Sequence, residues 1–165
     1  MPKRMTPEDK YYQDCMDELL SLIPQEEKEI VFSQTMCEYD REFLGFIDEY
    51  KPLSEAVPKD KIIIDFGCYL AAQAYFFGEH RKYIGVDVET MRRFTPPNAE
   101  HHVCSIQQFI KTHTEALFKQ YGSDACFAIC SFVPDFKATD LVKNTFQNGY
   151  VVYPGRERTL WLNTK

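Results

Sequence analysis

Apolar residues recur at spacings of three and four through the first sixty positions and gather into short continuous runs after them, so the chain changes its structural period once. Tyr12, Cys15, Leu19 and Leu22/Ile23 form one stripe, which predicts an amphipathic helix. Thr6-Pro7-Glu8-Asp9 suits its start, with a hydroxyl to cap, Pro at the first helical position and acids facing the positive end of the dipole. Pro24 breaks it. An acidic segment at 25–29 and an apolar patch, Ile30-Val31-Phe32, follow. A second stripe, Tyr39, Phe43, Phe46/Ile47 and Tyr50, carries Glu38, Asp40, Glu42 and Asp48 on its other side and predicts a helix ending near Lys51-Pro52. Residues 53–60, with Pro58 and three charges, read as a linker.

From Lys61 the pattern becomes strand, helix, strand. Ile62-Ile63-Ile64 predicts a first strand over 61–65, an alanine- and aromatic-rich stretch a helix over 69–79, and Tyr83-Ile84-Gly85-Val86 a second strand over 82–86. Short β-branched runs bounded by Gly and charge suit strands buried on both faces. A loop with Pro96-Pro97 leads to a third strand at 101–104, and Ser105 caps a helix whose stripe is Ile106, Phe109/Ile110, His113 and Leu117. A fourth run at 125–130, a helix at 136–147, a fifth strand at 150–153 and an edge strand at 159–162 complete the pattern. This alternation predicts an α/β fold with a doubly wound, mostly parallel sheet of about six strands. The N-terminal helices are expected at the edge of the sheet or over its upper rim, where Tyr11, Tyr12 or Tyr50 would cover a ligand.

Composition narrows the class. With 165 residues and 44% hydrophobic content, the chain suits one compact domain: an acidic helical segment over 1–60, serving as a lid or as a partner or substrate element, and a ligand-binding core over 61–165. No run approaches the roughly 18 apolar residues of a membrane span, so a cytoplasmic protein is expected. Six cysteines without a C-x-x-C, several of them in apolar runs, read as reduced thiols. The net charge of −6 counts against a general nucleic-acid ligand. Residues 1–60 hold 15 acids against 7 bases, a balance of −8, and the remainder 10 against 12, a balance of +2. Such a front is a solvated surface or a face for a basic protein partner.

In open α/β sheets, ligands bind outside the carboxyl ends of the strands, near the point where strand order reverses. The residues predicted there are Asp65, Gly67 and Cys68; Asp87 and Val88; Cys104, Ser105 and Ile106; and Cys130, Ser131 and Phe132. Gly67 lets backbone approach a ligand closely. Asp87 lies 22 residues past Asp65, the spacing at which an acid ending a second strand accepts ribose hydroxyls. Cys68, Cys104 and Cys130 would gather three thiols at one crevice, either as apolar lining or as zinc ligands. Candidates to orient or deprotonate a substrate are Asp135, His101, His102, Tyr11 and Tyr12.

Ile62–Cys68, reading I-I-I-D-F-G-C, and Tyr83–Val88, reading Y-I-G-V-D-V, resemble the Rossmann-like (class I) S-adenosylmethionine-dependent methyltransferases. The resemblance covers about the last 100 residues. It implies S-adenosylmethionine as cofactor, with Asp65 close to the methionine amino group, Gly67 and Cys68 along the methionine part, Asp87 on the ribose, Val88 beside it, Ser105 and Ile106 at the adenine, and Cys130 and Ser131 facing the reactive methyl. Tyr69 stands where the family has its second turn glycine, and Leu70-Ala71 follow where a third small residue is common. The implied function is a small methyltransferase of unspecified acceptor. Two other readings remain: a non-catalytic protein of that fold acting through its acidic helices, of which an acidic DNA mimic is a variant, and a nicotinamide-dependent enzyme with a decayed dinucleotide fingerprint.

Overall fold

In the computed structural model, residues 4–34, 44–155 and 158–161 are described. Helix α1 spans Pro7–Leu22 and starts in a capping box: the Asp9 N–H donates to the Thr6 hydroxyl, and the Thr6 N–H donates to the Asp9 carboxylate. Its stripe of Tyr12, Cys15 and Leu19 is buried. The acidic segment and apolar patch that follow form a helix of their own, α2 (Gln25–Ser33), which buries Val31 and Phe32. Nine residues are too few for a helical repeat to stand out in the sequence.

The third helix, α3, spans Ile47–Ala56 and runs through Pro52, where the sequence predicted its end. Proline forfeits the bond to the carbonyl of Asp48 in the helix's first turn, while burial of Leu53 and Ser54 beyond it keeps the next turn helical. The other half of that predicted helix, with Tyr39 and Phe43, lies outside the described residues. No helix among the described residues is long and apolar enough to cross a membrane.

Six strands form one sheet: β1 (Ile62–Phe66), β2 (Lys82–Asp87), β3 (Ala99–Val103), β4 (Cys126–Ser131), β5 (Asn148–Val152) and β6 (Arg158–Trp161). Their order is β3-β2-β1-β4-β5-β6, parallel except for β6, which pairs antiparallel with β5. The order reverses between β1 and β4. Helices α4 (Ile106–Tyr121) and α5 (Phe136–Thr145) start on side-chain caps from Ser105 and Asp135. The fold is thus a doubly wound, mostly parallel α/β sheet, as predicted.

Period-two alternation divides the core. Ile63, Tyr83, Phe127 and Ile129 pack with α1, α3 and the segment after β1, whereas Ile62, Ile64, Phe66, Ile84 and Ala128 pack with α4 and α5. The N-terminal helices therefore cover a face of the sheet. Among the described N-terminal residues, those at 44–50 reach the rim.

The helix expected over 69–79 is instead a short 3-10 helix, Ala72–Phe77. Tyr69 and Ala71 are left-handed, so the chain becomes helical only at Ala72, and five of the six helical residues are buried.

A surface tie locks α3 to the far edge. The Arg158 guanidinium donates to both oxygens of Glu49, and the Tyr150 hydroxyl donates to Oε2 at 2.6 Å. Arg158 holds the Glu49 carboxyl below its ordinary range. Glu49→Ala leaves a half-buried tyrosine hydroxyl unpaired, so stability should fall by about 1–2 kcal/mol, a thermal midpoint lower by roughly 3–6 °C. Differential scanning calorimetry checks this.

Candidate functional site

A cavity of about 440 Å³ opens at the carboxyl ends of β1, β2 and β4, the crevice created by the reversal of strand order. Its central wall is the turn after β1. Gly67, Tyr69 and Ala71 have φ of 77°, 51° and 60°, so alternate residues are left-handed. Tyr69 and Ala71 thus hold, with a Cβ present, the left-handed backbone that glycine adopts most freely. At Gly67 itself a Cβ would also lie 2.8 Å from the Val133 side chain, which closes that position to other residues.

Two devices hold the turn. The Tyr69 N–H donates to Asp87 Oδ2 at 2.9 Å, the Glu89 N–H donates to Oδ1 at 3.0 Å, and the buried Arg93 guanidinium lies 3.8 Å from Oδ1. Arg93 also donates through Nε to the Tyr69 carbonyl at 2.8 Å. Asp87 and Arg93 thus grip Tyr69 by its two backbone groups. From below, Gln73 Nε2 donates to the Cys68 carbonyl and to Asp65 Oδ2, both at 3.0 Å. Asp65, wholly buried, also accepts from the Tyr50 hydroxyl at 2.9 Å and from the Tyr83 hydroxyl. Burial pushes the Asp65 carboxyl up to about 6, with the three donors pulling the other way. Burial likewise drives the Tyr50 and Tyr83 hydroxyls well above their ordinary value.

The remaining wall comes from Leu44, Gly45, Phe46 and Tyr50 and from the loop after β4. Phe132 is left-handed at φ 58°, its N–H donates to the Val152 carbonyl, and its ring stacks on Phe46 with centroids 3.8 Å apart. Tyr12 lies outside the cavity and donates its hydroxyl to the Gly45 carbonyl at 3.1 Å, beside Phe46.

Of the residues the sequence placed at the site, Gly67, Cys68, Asp87, Val88, Cys104, Ile106, Ser131 and Phe132 line the cavity. Four do not. Asp65 is sealed beneath the turn by Tyr50, Gln73 and Tyr83. Cys130 points to the opposite face of the sheet, where its thiol meets the Thr139 hydroxyl at 3.5 Å, because it alternates with the residues that face the N-terminal helices. That placement also dissolves the three-thiol cluster. Ser105 caps α4 by accepting from the Gln108 N–H, and Asp135 caps α5 by accepting from the Ala138 N–H, with Gln107 on its other oxygen. His101 is turned into the protein, Nε2 at 2.8 Å from the Phe94 carbonyl, and burial lowers its pKa. His102 packs on His113 and Phe109.

Sequence reasoning missed Leu44 and Gly45, which precede the predicted stripe's apolar pair, and underrated Tyr69. The left-handed conformation at Tyr69 has a sequence signal only in the alternation with Gly67 and Ala71.

Fold and cavity together define a doubly wound α/β protein with a ligand pocket at its switch point. No protein-family model matches the chain, and no curated protein matches it. Among solved structures, the chain is similar to a "putative methyltransferase" from Streptococcus mutans in complex with SAH, at 18% identity and a TM-score of 0.45, covering 64% of this chain and 68% of that one.

Proposed function

We propose that the pocket binds S-adenosylmethionine and that the protein is a small S-adenosylmethionine-dependent methyltransferase. The observation that carries this reading is the turn Gly67–Tyr69–Ala71, left-handed at alternate residues and set directly against Asp87 at the end of β2. Charge separates it from the nicotinamide reading. Among the described lining residues Asp87 is the only acid and there is no Lys, Arg or His, so a pyrophosphate would meet a carboxylate and no countercharge. The six-residue 3-10 helix offers no α-helical dipole to replace one. A ligand with a sulfonium and an ammonium suits such a wall.

Bound there, the cofactor supplies an electrophilic methyl group. Asp87 uses one lone pair on each oxygen for backbone N–H groups and keeps others for ribose hydroxyls. Gly67 and Cys68 border the methionine part, Val88 and Ile106 the adenine, and Ser131 the reacting end. Asp135, His101 and Tyr12 are engaged elsewhere and take no part, so the chain contributes placement and exclusion of water, and the acceptor's proton passes to solvent.

Isothermal titration should show S-adenosylhomocysteine binding one to one while NAD and NADH bind at least tenfold more weakly. Absence of binding by both S-adenosylmethionine and S-adenosylhomocysteine would overturn the reading.

A further inference from the structure

Three non-glycine residues among those described have positive φ, namely Tyr69, Ala71 and Phe132, and all three line the one cavity described above. Left-handed backbone costs a residue with a Cβ free energy that glycine does not incur. At Tyr69 no side-chain hydrogen bond to a described residue offsets that cost. Its ring is 42% exposed, its hydroxyl has no hydrogen bond to a described residue, and its bonds to Asp87 and Arg93 are backbone bonds that glycine would make equally well. Phe132, also left-handed and partly buried, lines the same cavity across the turn after β4, with its ring laid on Phe46, itself 44% exposed. Strain retained at the cavity under the half-exposed ring of Tyr69 points to what that ring meets.

We propose that Tyr69, Phe132 and Phe46 form an aromatic subsite for the second ligand of the pocket, the methyl acceptor, and that this acceptor presents a planar aromatic group that is neutral or cationic. The proposal rests on the methyltransferase reading for the word acceptor alone; the subsite itself rests on the rings. Aromatic faces hold a planar ring by offset stacking and a cationic ring more strongly. The single lining acid, Asp87, favours a cation and opposes an anion, and the described wall has no basic residue to reverse that preference. A nucleic-acid or other polyanionic acceptor does not fit.

The test uses the full chain and three probes of one shape: quinoline, 1-methylquinolinium and quinoline-2-carboxylate, titrated by ligand-observed NMR with and without saturating S-adenosylhomocysteine. The neutral and cationic probes should bind, and the carboxylate should bind at least tenfold more weakly. Tyr69→Gly should weaken the first two by about tenfold while leaving the thermal midpoint unchanged or raised, since it removes the ring and relieves the backbone. Phe46→Ala, which alters no strained residue, should weaken them by about the same factor. Equal binding of all three probes, unchanged affinity in both variants, or a marked loss of stability in Tyr69→Gly would each overturn the subsite. The two readings fail separately. Probe binding that depends on Tyr69 without any binding of S-adenosylhomocysteine keeps the subsite and removes the methyltransferase, and the reverse result does the opposite.

Discussion

Asp87→Asn should both destabilise the protein and abolish tight binding of S-adenosylhomocysteine. The two carboxylate oxygens accept from two different backbone N–H groups, those of Tyr69 and Glu89. An amide of the same shape has one acceptor and one donor, so in either orientation an NH₂ faces an N–H. The buried Arg93 also loses the carboxylate lying 3.8 Å away, although its hydrogen bonds to the carbonyls of Tyr69, Glu89 and Met91 remain. Breaking one side of such a buried pair costs about 3 kcal/mol, which lowers the thermal midpoint by roughly 6–12 °C. In the proposed complex, two ribose hydroxyls on the Asp87 carboxylate would contribute a comparable amount, so affinity should fall about a hundredfold. Calorimetry and titration on the same sample separate the effects. Lost stability with undiminished affinity would assign Asp87 to the turn alone.

The fold was readable because its strands bury both faces. Ile62-Ile63-Ile64 and the run around Phe127 announce themselves as continuous apolar segments, and the alternation of elements leaves few topologies. Side-chain direction at the strand ends was less readable. Cys130 and Ser131 are adjacent and equally suited to a crevice by residue type, and only the register of β4 sends one into the pocket and the other toward Thr139. Asp65 shows the same gap. Its position at the end of an apolar run placed it at the ligand crevice, yet the strand continues to Phe66 and draws the carboxylate under the turn. The partners that seal it, Tyr50, Gln73 and Tyr83, stand 15, 8 and 18 positions away and carry no joint signal. Nor does a sequence show a backbone sign, so the left-handed conformation of Tyr69, φ 51°, is not legible in its residue type.

That sealed carboxylate has a measurable cost. The Asp65 carboxyl is raised from an ordinary value of 3.8 to about 6, chiefly by burial, so the folded state holds more protons than the unfolded state between these values. Stability from this group is therefore fully present below about pH 4, declines as pH rises through 6, and stays reduced above it, by an amount on the order of 3 kcal/mol. His80 and His101, both lowered by burial, act in the opposite sense, gaining as pH rises toward 6.5. They are common to wild type and variant and cancel in a comparison. Asp65→Asn keeps an acceptor for Gln73 and Tyr83 and turns an NH₂ toward Tyr50, whose hydroxyl can rotate to receive it because Ser131 lies beside it. The variant should thus match wild type near pH 4.5 and exceed it near pH 7.5 by about 2–3 kcal/mol, seen as a higher urea midpoint with an unchanged slope. A parallel offset at both pH values would mean that the folded and unfolded chains release this proton over the same pH range, so that the three donors fully offset burial and the carboxyl is not raised in the fold.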